Sequence, residues 1–187
     1  MTRQTPMAAT LWQSNSMLRD AALIVGGSMI VAMAAQISVP MFPVPMTLQT
    51  LAILFVGLSL GAWRGAAALA LYLAEGAMGL PVFANGMNGA ALFGPTAGFL
   101  YGFVAMAGIA GFMAERVSGQ TLVGLLIAGF VANVALYVPG VLYLNAATGL
   151  DFNGAVAAGM TPFIIGDLVK LVIAALIVTA GFKIARR

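Results

Sequence analysis

The sequence predicts an all-α integral membrane protein with six transmembrane helices. Of its 187 residues, 62% are hydrophobic and only 7% are charged. The mean hydropathy of +1.05 is far above that of a soluble domain. Because one bilayer span needs about 20 apolar residues, the chain supplies roughly five to seven spans joined by short loops. We therefore expect a single membrane domain over residues 1–187 and no separate soluble domain.

Prolines and glycines divide the apolar sequence into helices. The six predicted helices cover approximately residues 20–37, 47–60, 66–78, 96–114, 122–144 and 161–182. Pro40 ends the first helix, because proline cannot continue the hydrogen-bond ladder. A turn from Gly61 to Gly65 separates the second helix from the third, which stops before Pro81. Both helices are short for a bilayer span, so tilting or burial must help them.

The later helices follow a glycine-rich loop and have their own start signals. Residues 82–95 show neither strong helical periodicity nor charge, and their glycines suit a compact loop packed on the protein. The fifth helix contains Pro139, where we expect a kink. The sixth starts near Thr161, a suitable N-cap that is followed by Pro162 in the first turn.

Basic residues fall almost entirely on one side of this predicted bundle. They lie in the two tails and in two turns between helices, at Arg3, Arg19, Arg64, Arg116, Lys183, Arg186 and Arg187. The loops on the other side contain only one charged residue, Asp151. By the positive-inside rule the basic side is the cytoplasm, so both termini are expected there.

Absent residue types exclude several classes of function. Cysteine and histidine do not occur, which excludes disulfides, thiolate or imidazole metal sites and Cys or His nucleophiles. The phosphate-binding motif G-x-x-x-x-G-K-[ST] is also missing, so this chain is not itself a P-loop ATPase. The basic residues are scattered between apolar runs instead of forming a patch, which argues against a nucleic-acid partner. We expect no metal and no cofactor.

Two charged residues interrupt the last apolar run, and they are the strongest candidates for a binding site. Asp167 and Lys170 stand three residues apart, which places both side chains on one face of a helix. A charge in a membrane helix costs about 2.5 to 3.5 kcal/mol on insertion scales, and such residues usually face the bundle interior. A purely structural ion pair is the alternative interpretation.

Other polar residues fall near the same, outer side of the predicted bundle. They come from three further segments and are Gln49, Glu75, Asn85 and Asn88. Convergence of these groups would form an outward-facing cavity for a small molecule. Each also has a structural interpretation. In that interpretation, the Glu75 side chain extends to the membrane interface or bonds a neighbouring backbone group, and Gln49 bonds backbone groups at the start of its own helix. The two Asn-Gly pairs would simply form turns.

Small residues in the first helix predict close packing against a partner. Ala22 with Gly26, and Ser28 with Ala32, each stand four residues apart. This spacing allows two membrane helices to approach closely.

Three segments together resemble the BioY family of biotin transporters. They are Val44-Pro-Met-Thr-Leu-Gln-Thr-Leu51, Gly79-Leu-Pro-Val-Phe83 with Gly94-Pro-Thr-Ala-Gly-Phe-Leu-Tyr-Gly-Phe103, and Gly166-Asp167 with Lys170. The resemblance implies a substrate-binding S component of an energy-coupling factor importer in a prokaryotic plasma membrane. It further implies biotin as the transported ligand. The implied partners are a transmembrane T subunit and two cytoplasmic ATPases.

The resemblance also implies roles for individual residues. Asp167, Lys170 and one loop asparagine, with Asn88 preferred over Asn85, would contact biotin. The Ala22 to Gly26 and Ser28 to Ala32 pairs are similar to the Ala-x-x-x-Ala motif that packs on the T subunit in such components.

Three other functions are alternatives to biotin import. One is an S component for another vitamin, and a second is a standalone ion-coupled transporter that uses the buried charges as a relay. The third is an intramembrane enzyme, for which no nucleophile or metal cluster is evident.

Overall fold

The computed structural model of the chain describes residues 17–117 and 121–185. Within them lie seven α-helices: α1 (Met17–Gln36), α2 (Gln49–Leu60), α3 (Ala62–Ala77), α4 (Ala97–Ala114), α5 (Leu122–Thr148), α6 (Phe152–Gly159) and α7 (Ile164–Ala185). A short antiparallel ribbon joins α1 to α2, with β1 (Ser38–Val39) paired to β2 (Met46–Thr47). The architecture is thus almost entirely helical, and the ribbon is its one departure among the described residues.

Several helical segments are long and apolar enough to cross a membrane. Four segments meet both conditions in the part of the chain that the structure describes: Met17–Gln36, Ala97–Ala114, Leu122–Thr148 and Phe152–Ile184. The last segment combines α6, a 3₁₀ turn at Thr161–Phe163 and α7. A count of six spans and a cytoplasmic position for both termini stay predictions. Of the basic residues that support the orientation, Arg3, Arg186 and Arg187 lie outside the described residues.

Each of the six predicted helices has a counterpart, and one further helix was not predicted. The predicted helix at 122–144 extends through Pro139 to Thr148. The additional helix, α6, begins at Phe152 and is capped by Asp151, whose carboxylate accepts a hydrogen bond from the Gly154 amide. The predicted loop at 82–95 contains two 3₁₀ turns, Ala84–Gly86 and Gly89–Leu92.

Helix α2 forms the centre of the bundle. It contacts α1, α3, α4, α5 and α7, and most of its side chains are buried. A helix of 12 residues is about 18 Å long, whereas the hydrocarbon layer is about 30 Å thick. Because the other helices surround it, α2 has little need to reach both membrane surfaces itself. Its short length also places its first residue, Gln49, inside the protein.

Glycines allow the helices around α2 to approach closely. A Cβ atom at Gly98 in α4 would overlap the carbonyl group of Pro139 in α5, so this pair of helices packs backbone to backbone. Small residues commonly permit such contacts in membranes. Gly61 makes the sharp turn between α2 and α3 with a φ of 85°, a conformation that favours glycine.

Four of the five basic residues in the described part of the chain, Arg19, Arg64, Arg116 and Lys183, lie at one end of the bundle. At this end, Arg64 and Arg19 form ion pairs with Asp20, and the Glu115 carboxylate accepts a hydrogen bond from the amide of Ala62. At the opposite end lie the ribbon, the glycine-rich loop and the start of α7. We call them the basic end and the loop end. The buried polar residues of the candidate site lie toward the loop end.

Candidate ligand-binding site

A cavity of about 280 Å³ lies among the segments of the loop end. This volume is close to the lower limit of the roughly 300–1,000 Å³ that is common for small-molecule sites. The starts of α2, α4 and α7, the second half of α5 and two loops form its wall. Its polar lining side chains are Thr47, Gln49, Thr50, Asn85, Thr96, Tyr137, Asp167 and Lys170. The remaining lining residues are apolar or glycine, which is typical of pockets for small ligands.

Asp167 is the polar centre of this cavity. Its side chain is only 7% exposed, and it accepts hydrogen bonds from three side chains on three helices. The hydroxyls of Thr50 and Tyr137 donate at 2.7 and 2.6 Å, to different carboxylate oxygens. The Lys170 ammonium donates at 3.1 Å. These donors offset the desolvation of a buried carboxylate and fix its orientation.

Lys170 contributes a buried cation to the same wall. Its side chain is 10% exposed, and Asp167 is its one hydrogen-bond and ion-pair partner among the described residues. An ammonium group has three N–H donors. Two therefore stay free of protein acceptors in the described part of the chain. A buried donor without an acceptor is costly, so this position favours a ligand with an acceptor oxygen.

Gln49 belongs to the cavity wall and also to a series of hydrogen bonds that extends to residues outside it. Its amide oxygen accepts from the Thr47 hydroxyl at 2.9 Å, and its amide nitrogen donates to the Tyr72 hydroxyl at 2.9 Å. Tyr72 in turn donates to the carbonyl oxygen of Val82 at 3.1 Å. Gln49 is 4% exposed and lines the cavity, so its amide has both a structural role and access to a ligand.

Asn85 is the loop asparagine that lines the cavity. Its backbone has a φ of 58°, an uncommon conformation that asparagine tolerates better than most residues. Its side-chain oxygen accepts a hydrogen bond from the Ser38 hydroxyl at 2.6 Å. The amide nitrogen has no hydrogen-bond partner in the described part of the protein, and it is therefore available as a donor.

Two predicted site residues lie outside this wall. The Asn88 oxygen accepts from the Ala90 amide and caps the turn that follows. Glu75 accepts a hydrogen bond of 2.6 Å from the Ser28 hydroxyl, which ties α3 to α1. Neither residue lines the cavity. Of the two loop asparagines, the structure places Asn85 in the wall, whereas Asn88, the one preferred from the sequence, caps a neighbouring turn.

The four small residues of α1 lie on two different faces. Ala22 is exposed, and a Cβ atom at Gly26 would meet no atom within 4 Å, so this pair faces away from the bundle. Ser28 is fully buried and bonded to Glu75, and Ala32 is half-buried against the core. An outward contact therefore suits Ala22 and Gly26. Ser28 packs inside the protein, where its hydroxyl bonds Glu75, and its role in partner packing stays a prediction.

Sequence reasoning missed the two hydroxyls that hold Asp167. Thr50 directly follows Gln49, and Tyr137 lies in the middle of α5. Their common signal is a hydroxyl within an apolar helix, which is too frequent in membrane helices to identify a site. Phe83 and Phe99 line the cavity and also pack in the hydrophobic core.

Comparison with known proteins gives consistent matches over most of the chain. The sequence model of the BioY family matches residues 4–187. The biotin transporter BioY of Thermotoga maritima is 41% identical over 149 residues, which are 79% of this chain and 86% of that protein. The biotin transporter BioY of Rhizobium etli is 42% identical over 149 residues, or 75% of this chain and 79% of that protein.

A solved structure has the same fold. It is the crystal structure of the S-component for biotin from an ECF-type ABC transporter, and it matches with a TM-score of 0.80. The match covers 93% of this chain and 98% of the other, at 24% sequence identity. At that identity the likeness establishes the architecture alone.

Proposed function

The chain belongs to the BioY family, and we propose that it captures biotin and takes it across the membrane as the substrate-binding S component of an energy-coupling factor importer. It is a transport protein and not an enzyme. One observation supports this proposal most strongly: a buried, paired carboxylate and ammonium in the wall of an otherwise mostly apolar cavity. Charges placed in this way inside membrane helices are generally functional.

The chemistry of biotin suits this wall. Its ureido ring has two N–H donors and one carbonyl acceptor, next to an apolar thiophane ring and a carboxylate tail. The carboxylate of Asp167 retains acceptor capacity for an N–H group, because a carboxylate has about four lone-pair sites and three are used. Lys170 supplies two free N–H donors for a ligand oxygen. The Asn85 amide nitrogen adds a donor on the loop side.

Apolar side chains complement the apolar part of biotin. Pro43, Phe83, Phe99 and Phe163 all line the cavity. Burial of apolar ligand surface contributes about 25 cal/mol per Å². We expect these side chains to supply most of the affinity, whereas the polar residues orient the ureido ring and select against ligands without matching donors.

The expected partners are a transmembrane T subunit and two cytoplasmic ATPases. In this arrangement the loop end faces outward, the basic end faces the cytoplasm, and six spans cross the membrane with both termini inside. The charge asymmetry of the two ends supports this orientation. The outward-facing Ala22 and Gly26 of α1 support close packing against a partner helix.

A binding measurement with a matched pair of variants tests the ligand. We expect wild-type protein in detergent to bind biotin by calorimetry, and Asp167→Asn to weaken binding by more than about 100-fold, since loss of one partner of a buried charge pair costs several kcal/mol. Asp151→Asn is the control, because Asp151 caps α6 away from the cavity and Asn caps equally well. Unchanged affinity in folded Asp167→Asn would contradict the proposal.

Two further measurements separate the proposal from its alternatives. Mass spectrometry of the small molecules released by denaturing fresh protein identifies the ligand, and release of another vitamin would replace biotin. Uptake into vesicles with and without the T subunit and ATPases tests the energy source. Uptake that needs no ATPase and collapses with an uncoupler would indicate an ion-coupled transporter instead.

A further inference from the structure

Gln36, the last residue of α1, forms hydrogen bonds across the loop that follows α3. Its side-chain nitrogen donates to the loop carbonyl oxygens of Val82 and Phe83 at 3.3 and 3.2 Å, and it is also 3.3 Å from the carbonyl oxygen of Ala32 in its own helix. Its side-chain oxygen accepts from the amide of Gly86 at 3.2 Å. One side chain therefore contacts both ends of the segment 82–86. We call this segment the cavity loop.

The cavity loop forms part of the candidate site. Phe83, Ala84 and Asn85 line the cavity, and Phe83 is almost fully buried while it does so. The Phe83 ring packs edge-on against the Tyr72 ring, with centroids 5.2 Å apart and an interplanar angle of 78°. A displacement of this loop would therefore move both an apolar and a polar part of the wall.

The Val82 carbonyl links Gln36 to another residue of the cavity wall, Gln49. It accepts from Gln36 at 3.3 Å and from the Tyr72 hydroxyl at 3.1 Å. Tyr72 also accepts from the Gln49 amide, which lines the cavity. The end of α1 is thus connected through the Val82 carbonyl and the Tyr72 hydroxyl to Gln49, the first residue of the central helix α2.

We propose that Gln36 is a positioning residue, which holds the cavity loop closed and so determines how long the ligand stays bound. This inference rests on the proposed function for the identity of the ligand. Gln36 itself does not line the cavity. It acts through the backbone of the loop, and both halves of its amide are needed because the loop presents carbonyl oxygens at one end and an N–H at the other.

The amide chemistry of Gln36 allows a discriminating pair of variants. Gln36→Glu keeps the length and the acceptor but has no N–H to donate, so its carboxylate faces the two loop carbonyl oxygens and that of Ala32. Gln36→Ala removes both functions. Met33→Ala is the control, because Met33 lies one turn earlier in α1 with its side chain 63% exposed and outside the cavity wall.

Hydrogen–deuterium exchange of the ligand-free protein tests the positioning role without any ligand. We expect peptides covering residues 82–87 to exchange about tenfold faster in both Gln36 variants than in wild type or Met33→Ala, since each net hydrogen bond is worth about 1 kcal/mol. Peptides from α4 and α5 should not change. Unchanged exchange over residues 82–87 would overturn the proposal, whether or not biotin is the ligand.

Biotin dissociation rates test the consequence for binding. We expect dissociation to be about fivefold to tenfold faster in Gln36→Ala and Gln36→Glu, with little change in the association rate, because the contact stabilises the closed loop. An unaltered dissociation rate in these variants would refute the role of Gln36 and leave the proposed function intact. Wild-type protein that binds no biotin would refute the proposed function, whereas the exchange result would still decide the role of Gln36.

Discussion

The carboxylate of Asp167 connects three helices by hydrogen bonds. It accepts one from the Thr50 hydroxyl of α2, one from the Tyr137 hydroxyl of α5 and one from the Lys170 ammonium of α7. A buried charge that loses one of its partners becomes strongly destabilising, by about 3 to 5 kcal/mol. The carboxylate therefore serves two purposes, because the contacts that orient it toward a ligand also hold the start of α7 against the bundle.

The Tyr137→Phe variant tests the contribution of one of these contacts. It removes the hydroxyl that donates to Asp167 at 2.6 Å and keeps the aromatic ring in the wall. We expect the dissociation constant for biotin to rise about tenfold, because a hydrogen bond to a charged group is worth about 1.5 to 3 kcal/mol. Calorimetry measures this change. Tyr101→Phe is the matched control, since its hydroxyl bonds the Leu92 carbonyl outside the cavity wall, and equal effects of the two variants would contradict the prediction.

The sequence identified the charged members of the site because charge is rare in membrane helices. Asp167 and Lys170 stand out in an apolar run, and their spacing places them on one helix face. Thr50 and Tyr137 did not stand out, because their role depends on the neighbouring helix that each one meets. Asn85 and its neighbour Asn88 both precede glycine, so only the loop geometry distinguishes the residue in the wall from the one that caps a turn.

At the scale of the elements, the loop end depends on close contact between the cavity loop and α3. The Phe83 ring packs directly on Gly76, where any Cβ atom would overlap the ring. The glycine therefore decides the position of an aromatic side chain in the cavity wall. Contact between this ring and Gly76 therefore helps to set the shape of the cavity wall.

The Gly76→Ala variant displaces that ring. We expect weaker biotin binding, by about tenfold, because overpacking in a close-packed site forces shifts that cost about 1 to 3 kcal/mol. Isothermal titration of the folded variant measures it. Gly108→Ala serves as the control, since the added Cβ there would meet its nearest atom at an ordinary 3.6 Å. Equal affinities of Gly76→Ala and wild type would show that the loop accommodates the change.

Ser28 and Glu75 connect α1 to α3, and the Ser28→Ala variant tests that connection. The variant leaves the Glu75 carboxylate without the donor that it meets at 2.6 Å. We expect the free energy of unfolding to fall by about 1.5 to 3 kcal/mol, as for other bonds to charged groups. Thermal unfolding in detergent provides the readout. Thr179→Ala is the control and should lose less stability, because that hydroxyl bonds only a carbonyl group of its own helix. A smaller loss of stability in Ser28→Ala than in Thr179→Ala would contradict the role of Ser28 in connecting the two helices.

The helix bounds were predictable where proline and glycine interrupt an apolar run. The turn at Gly61 and the break after Gln36 both follow this rule. Helix α6 was not recognised because eight residues rich in alanine and glycine give a weak periodic signal. The two-residue strands β1 and β2 are too short to leave any pattern in the sequence, and only their pairing defines them.

At the scale of the whole molecule, α1 has two faces with separate tasks. One face packs on α2 and α3 through Gly27 and Ser28. The other carries exposed Ala22 beside exposed apolar side chains such as Val25 and Met29. The sequence predicted small residues for partner contact but not which pair faces outward, because the helix orientation depends on the packing of the complete bundle.

The Ala22→Leu variant tests this outward face. We expect it to reduce co-purification of the T subunit and the ATPases about tenfold or more, because a larger side chain prevents close helix approach. Biotin binding should remain within about twofold, since Ala22 lies outside the cavity wall. The control is Ala180→Leu, at an exposed position of α7. Normal co-purification of Ala22→Leu would contradict the assignment of this face.

The loop between β1 and β2 contains three prolines within six residues, Pro40, Pro43 and Pro45, and all three line the cavity. Since each proline fixes one backbone dihedral angle, this part of the wall has little conformational entropy left to lose when a ligand arrives. Affinity gained through such preorganisation differs from affinity gained through contacts. The heat-capacity change on binding should therefore be small and match the apolar surface that the ligand and the preformed wall bury at their contact, with no added contribution from a segment that folds around the ligand.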